Sequence, residues 1–571
     1  MKKSNTIFLV LLISILIISV GCSNKEYNAD LVLTNGKIIS VDNNNTITEA
    51  IAISADTILA LGSKDEINKY IDSKTKVVDL KGKTVIPGFI DSHAHLISTG
   101  RSKLILNFAN VNSWEEIVSM VAEVAKNIAP GEWIVGRGWH QEKWTSLPRH
   151  NTEGYPHHTE LSKVTPKNPV VLSHASGHAL FANKFAMELA NVSRNTIVPK
   201  GGEIIKDKTS NPIGVFTEEA ERLIWDKFNE HNSKKSKQDI IEDKKNAIHL
   251  AVDECLSNGI TSFHDAGSSF EDVEVYRELV DNNKLGLRLY VMLLEGSESL
   301  KKSIKKYFTV GYGNNHLTVR SIKVYMDGAL GSRGAWLLKP YTDMPNQVGL
   351  NVTQLSEINS IAQVAIENDF QVCTHAIGDR GNQEIINVYE KNFSKVPNSD
   401  NLRWRVEHAQ HLDTTDIPRF SKLGIIASMQ GIHCTSDAQF VEKRLGADRA
   451  KNGAYVWRSL INNGATICSG TDSPVEGIDP IKNIYATVTR KLNDGSSFYP
   501  DQKMNRLEAL KSYTINGAFA AFEEDIKGSL EVGKLADIAV LSKDILTASD
   551  EEILNTEILY TILGGKIVYE K

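Results

Sequence analysis

Val85-Ile86-Pro87-Gly88-Phe89-Ile90-Asp91-Ser92-His93-Ala94-His95 is an apolar run that closes on polar residues at every second position. Side chains two apart on an extended strand share a face, so Asp91, His93 and His95 point the same way. Two imidazoles on one face can hold one metal ion, although His-x-His alone is common by chance. Seven more short apolar runs follow, alternating with helical patterns: Ile260–His264, Leu287–Leu293, Val319–Tyr325, Phe370–Thr374, Leu402–Glu407, Ile425–Met429 and Ala465–Ser469. With Val85–Asp91 they make eight candidate strands of an α/β fold. That number points to a (β/α)8 TIM barrel, in which active residues gather at the C-terminal ends of the strands. Residues 100–250 break the repeat, carry strand-like pieces of their own (Trp133–Val135, Pro169–Leu172) and read as an insertion after the first strand.

The other strand ends carry chemistry too. His375 follows the fifth run, His408 the sixth, and Asp472 the eighth. In the fourth run Ile322, Val324 and Met326 share one face, so Ser321, Lys323 and Tyr325 share the other. The apolar set belongs against helices, which turns Lys323 into the barrel. A buried, unpaired ammonium is costly. Either a carboxylate such as Asp327 pairs with Lys323, or its amine has reacted with carbon dioxide to give a carbamate able to bridge two metal ions.

Both ends of the chain are β-rich. Leu31–Val41 carries Asn35-Gly36 between two strand-like runs, a hairpin signal, and strand-like pieces continue to Val85. Near the C-terminus, Ala536–Leu541 and Ile558–Tyr569, with Gly564-Gly565 at a turn, have the same character. Each piece is too small to bury a core alone, so the two are expected to combine into one sheet domain.

Four histidines, one aspartate and one inward lysine at strand ends resemble the amidohydrolase superfamily. The likeness is closest to its amidohydrolase-3 branch, similar to N-acyl amino acid deacylases and N-substituted formamide deformylases. It is carried by Val85–His95, Gly136-Arg137-Gly138-Trp139, Gly177-His178 with Asn183, Gly201-Gly202-Glu203, Lys323–Gly328, Glu407-His408-Ala409-Gln410 and Gly533–Asp537. The resemblance implies a TIM barrel plus a small β-sandwich built from both termini: 30–86 and 516–571 for the sandwich (the latter with the barrel end), and 87–515 for the metal-dependent hydrolase barrel. His93 and His95 would bind the more buried ion, carbamylated (N6-carboxylated) Lys323 would bridge, and His375 and His408 would bind a second ion. Asp472 would contact the first ion and the bridging hydroxide. One or two divalent ions are expected. Zinc is the default, with manganese, iron or nickel fitting the same donors.

That set implies a metal-dependent hydrolase of non-peptide carbon–nitrogen bonds. Metal-bound hydroxide would attack the carbonyl of a small-molecule substrate, and Asp472 would shuttle the proton to the departing nitrogen. Hydrolysis of a cyclic amide, an ester or a phosphoester, or non-catalytic binding of metal or solute by a lipoprotein, are the alternatives. His178, Asn183, Arg333, His433 and Trp139 are the substrate-binding candidates, Arg333 as a grip for a carboxylate. For Asn183 a local cap, for Arg333 a local ion pair and for Trp139 plain packing compete with that role.

Composition narrows the partners. Of 571 residues, 64 are basic and 70 acidic, for a formal net charge of −6, and there is no long basic block, so nucleic acid has no electrostatic footprint to bind. Five cysteines form no CxxC pair, and no Gly-rich phosphate cradle, nucleophile elbow or HExxH helix occurs. Residues 1–22 read as a lipoprotein-type signal peptide: Lys2-Lys3, the apolar run Ile7–Val20, then Gly21-Cys22-Ser23, with 23–29 a tether. This predicts an exported lipoprotein of the bacterial cell membrane or outer membrane, touching the bilayer only through a lipid anchor on Cys22. A homo-oligomer is compatible with all of this.

Overall fold

The computed structural model describes residues 28–109, 111–233 and 236–571. The signal peptide, Cys22 and nearly all of the tether lie outside the described residues. No helix among those described is long and apolar enough to cross a membrane.

Eight parallel strands form the central sheet: β1 (Phe89–Ala94), β2 (Ile260–Ser268), β3 (Arg288–Leu293), β4 (Leu317–Tyr325), β5 (Gln371–Ala376), β6 (Arg405–His408), β7 (Ile426–Met429) and β8 (Ile467–Ser469). Each pairs with the next in this order. The ring closes just beyond β8, where Asp472 N donates to His93 O at 2.7 Å and His95 N donates to Ser473 O at 2.8 Å. The chain is therefore a TIM barrel, and all eight expected runs lie in or overlap its strands. Outward side chains such as Leu289, Val291, Ile322, Val324 and Met326 pack into one large core with the surrounding helices. Helix Leu355–Glu367 shows why such segments are helical: Ile358, Ile361, Ala362 and Ala365 recur at three- and four-residue spacing and bury one stripe. The barrel interior is mostly polar instead, with Ser92, His264, Tyr290, Ser321, Lys323, Arg405 and Ser428 all buried.

One expected strand is two. Thr84–Pro87 joins a second sheet and Phe89–Ala94 the barrel, with the break at Gly88. A β-carbon at Gly88 would stand 2.3 Å from Thr261 Oγ1, so only glycine fits where the chain leaves one domain for the other.

The second domain is a β-sandwich drawn from both termini. One sheet has the order Thr57–Gly62, Ala50–Ser54, Leu31–Thr34, Lys76–Asp79. The other runs Lys566–Glu570, Ile558–Leu563, Ile538–Leu541, Thr84–Pro87, Lys37–Ile39, Ile47–Thr48. Leu31, Leu33, Ile51, Ile53, Val85, Ile538, Val540 and Ile562 fill the space between them. The hairpin expected at Asn35-Gly36 is absent. Leu31–Thr34 and Lys37–Ile39 go to opposite sheets, and Asn35, at φ 54°, carries the turn between layers. Burial against two facing sheets here outweighs the local turn preference. Arg288 on β3 clamps the sandwich to the barrel through a two-point ion pair with Asp537, at 2.6 and 2.9 Å.

The insertion has its own six-stranded sheet, in the order Gly202–Lys206, Pro212–Glu218, Ala179–Ala182, Val170–His174, Ile134–Trp139, Leu106–Asn107. Phe108, Trp114, Ile117, Trp139, Leu172 and Phe181 form its core. It ends earlier than the expected residue 250. Helix Lys237–Ser257 directly precedes β2 and buries Ile248, Ala251, Val252 and Cys255 in the barrel core, so it belongs to the barrel.

Candidate metal centre

All six residues read as ligands from the sequence meet at the C-terminal mouth of the barrel. His95 Nε2 lies 3.2 Å and His93 Nε2 3.6 Å from Asp472 Oδ1. Lys323 Nζ is 3.2 Å from His93 Nε2. The rings of His93 and His408 are 4.7 Å apart, and those of His408 and His375 4.5 Å. His433 joins them, with Nε2 at 3.6 Å from Asp472 Oδ2. Two trios, His93–His95–Asp472 and His408–His433–Asp472, each bring one donor atom per residue within 4.8 Å of the others. His408, at φ 73°, and Asp472, at φ 58°, hold left-handed backbone, a strained state of the kind that clusters at functional sites.

The donors suit a divalent cation. Nε2 of His375, Nε2 of His433 and Oδ1 of Asp472 are buried with no hydrogen-bond partner. Burial, helped by the Lys323 charge, pushes the His93 imidazole down to about 4, and burial carries His375 and His408 well below the usual histidine range. Neutral imidazoles are what a metal requires. Burial pushes the Asp472 carboxyl up, but the contact with His95 and the nearby His408 and His93 together hold it well below the usual carboxylate range. Burial also lowers the Lys323 ammonium to about 8. Asp327 does not neutralise it, because the Asp327 carboxylate accepts instead from the backbone N–H groups of Trp336, Ile377 and Gly378, at 2.8 to 2.9 Å.

The supporting residues are ones that sequence reasoning passed over. Glu407 on β6 accepts from His93 Nδ1 and fixes which nitrogen faces the mouth. It is held in turn by Arg405, whose Nε is 2.6 Å from Oε1 and whose Nη2 donates to Oε2 at 3.0 Å. Gln430 Oε1 meets His408 Nδ1 at 2.8 Å, and Gln410 Nε2 donates to His433 Nδ1 at 3.0 Å. The signal available was the alternation that turned Lys323 inward: Arg405 and Glu407 are two apart on one strand.

Above these residues opens a cavity of about 1080 Å³, with His95, Lys323, His375, His408, His433 and Asp472 at its floor and the insertion as one wall. The amidohydrolase family model matches residues 76–569. The chain belongs to the amidohydrolase family. LONG AFTER FAR-RED 3 of Arabidopsis thaliana is 31% identical over 556 residues, 95% of this chain and 92% of that protein. An N-substituted formamide deformylase of Arthrobacter pascens is 26% identical, over 95% of this chain and 98% of its own. A crystal structure of a metal-dependent hydrolase from Pyrococcus horikoshii OT3 superposes with a TM-score of 0.73 at 26% identity, covering 91% of this chain and 99% of its own. This amidohydrolase is a metal-dependent hydrolase acting on small molecules.

Two of the five substrate-binding candidates face the cavity. His433 does so beside Asp472. His178 does so with Nδ1 3.0 Å from Glu218 Oε2, and although burial opposes it, that carboxylate raises His178 to about 9. The other three do not line it. Asn183 caps helix Lys184–Leu189, where Oδ1 accepts from Ala186 N and Val170 N and Nδ2 donates to Thr165 Oγ1 and Asn168 O. Trp139 is fully buried in the insertion core and donates its indole N–H to Leu172 O at 2.8 Å. Arg333 is taken up by Asp343 at 2.9 Å. In each case a local partner already engages the side chain.

Proposed function

We propose that this amidohydrolase hydrolyses an amide-type carbon–nitrogen bond, other than a peptide bond, in a small molecule. His93, His95, Lys323, His375, His408 and Asp472 would hold one or two divalent ions, and zinc best matches these donors. The observation carrying this reading is that Nε2 atoms of His95 and His93 converge on one buried carboxylate, Asp472, at 3.2 and 3.6 Å. A bound divalent ion supplies an acidified water, with pKa lowered toward ~7, and polarises the scissile carbonyl.

The chain's own residues do the rest. Asp472 accepts the proton released as water adds to the carbonyl and returns it to the leaving nitrogen. An amide needs that return, because the unprotonated amide anion is too basic to depart. Gln410 donates to His433 Nδ1, which leaves the His433 proton on Nε2, facing the mouth. From there His433 can donate to charge developing on the carbonyl oxygen. Lys323, as the free amine, can add to carbon dioxide and shed one proton, and the carbamate oxygens would then be among the donors that hold the ions. That no carboxylate among the described residues pairs with Lys323 supports that role. The N-substituted formamide deformylase among the relatives makes formamides the first compounds to assay.

Asp472→Asn tests the reading. The variant should keep its metal by elemental analysis and lose roughly 10²- to 10⁴-fold in turnover on a panel of N-substituted formamides and N-acyl amino acids. Near-normal turnover would remove the proton shuttle, and wild-type protein that takes up no metal after zinc and bicarbonate treatment would remove the site. For location, Lys2–Ser23 supports an envelope lipoprotein anchored at Cys22, and Cys22→Ala should release the protein from the membrane fraction.

A further inference from the structure

Among the described residues, the insertion wall presents a cation with no carboxylate within ion-pair distance. Arg137 sits on Ile134–Trp139, whose pairing with Val170–His174 slips by one residue between Arg137 and Trp139. Bulges of this kind re-aim a side chain, and Arg137 lines the cavity. One bond anchors it, from Nη2 to Ala175 O at 3.0 Å, and its Nε is buried without a partner. Among the described residues no carboxylate lies within ion-pair distance of it, and three that share the cavity are engaged elsewhere. Glu218 holds His178 at 3.0 Å, Glu476 holds Lys143 at 3.0 Å and Ser436 at 2.7 Å, and Asp437 accepts from Tyr455 at 2.8 Å. Asp472 and Glu476 act on Arg137 only at longer range. Arg101 also lines the cavity, but it is exposed at the rim.

A half-buried guanidinium facing a cavity without a matching anion is incompletely compensated. The N–H groups of Nη1 and Nη2 not used by Ala175 form a planar pair that fits a carboxylate. We propose that Arg137 receives a carboxylate carried by the substrate, so that the preferred amide is an anionic one oriented with its charge against the insertion wall and its carbonyl toward Asp472. This deepens the hydrolase reading above and rests on it for the identity of the scissile bond. It also moves the carboxylate grip from Arg333, whose charge Asp343 has matched, to Arg137.

The test uses the metal-loaded full chain and two probes of one shape, N-acetylphenylalanine and its uncharged carboxamide, both followed by acetate release. Binding of both is also measured by calorimetry in Asp472→Asn. The acid should bind roughly ten- to hundredfold more tightly than the carboxamide. Arg137→Gln should bring that ratio near one, mainly through KM, and Arg137→Lys should keep part of it. Because each protein is its own control, a folding defect cannot imitate a change in ratio. Equal wild-type affinity for the two probes, or a ratio that survives Arg137→Gln, overturns the assignment. Arg137-dependent binding without hydrolysis of either compound would sink the hydrolase reading and leave the anion site standing. Hydrolysis of both without preference would sink the anion site alone.

Discussion

Glu407→Gln removes one charge and almost no volume from the support of the metal centre. Both oxygens of Glu407 face donors: Oε1 faces Arg405 Nε, and Oε2 faces Arg405 Nη2 and His93 Nδ1. An amide cannot satisfy both sides. With its oxygen in the Oε2 position, its NH₂ confronts Arg405 Nε–H; flipped, it confronts two donors. Arg405 is fully buried, and its remaining bonds, to Ser92 O, Ser428 Oγ and His264 Nδ1, carry no negative charge. Leaving such a cation uncompensated costs about 3–5 kcal/mol. His93 would also lose the carboxylate that fixes its tautomer and raises its basicity, which weakens metal binding about 10- to 100-fold. Thermal melts of the metal-free protein report the first effect and competition against a colorimetric zinc chelator the second. If both metal affinity (within threefold) and the apo melting temperature are retained, the account of Glu407 as the positioning residue is wrong.

Two further outcomes follow from the same geometry. Lys323→Ala should lower the metal content by elemental analysis, with partial recovery in added short carboxylic acids; unchanged content would make Lys323 merely structural. Asp537→Asn should cost about 3–5 kcal/mol by breaking the buried pair with Arg288. Burial pushes the Asp537 carboxyl up, but Arg288 overcomes this and holds it below the usual range, so its contribution is present above the unfolded value and is lost as pH falls through the folded one. Stability of the variant should therefore fall less steeply below about pH 4 than that of wild type; parallel curves would contradict the coupling.

Much of the barrel was readable because each strand is a short apolar run bounded by helical periodicity, and the ligand candidates stand at the ends of such runs. Lys323 was readable for the same reason, since Ile322, Val324 and Met326 claim the opposite face. What escaped depended on partners distant in the chain. Glu407 acquires its role from His93, 314 positions away. Asn183, Trp139 and Arg333 are chemically plausible contacts, and only the fold reveals that Thr165, Leu172 and Asp343 had engaged them first. Arg137 was visible as part of a motif, but the bulge that aims it and the want of a nearby anion are properties of three-dimensional packing. Asn35-Gly36 misled because a two-layer sandwich can use the same dipeptide to change layers.

The clasp between the chain's two ends sets the order in which this molecule can be completed. Lys37 meets Asp544 at 2.5 Å across 507 positions, and Thr84–Pro87 pairs edge to edge with Ile538–Leu541. The amino-terminal strands pair with one another within residues 31–87, but the Thr84–Pro87 edge and the apolar face that packs on Ile538, Val540 and Ile562 have no cover until almost the last residue emerges, and long-range pairings of this kind form late and leave edges exposed meanwhile. A cell making this protein has to shelter that edge and that apolar face for nearly the whole of translation.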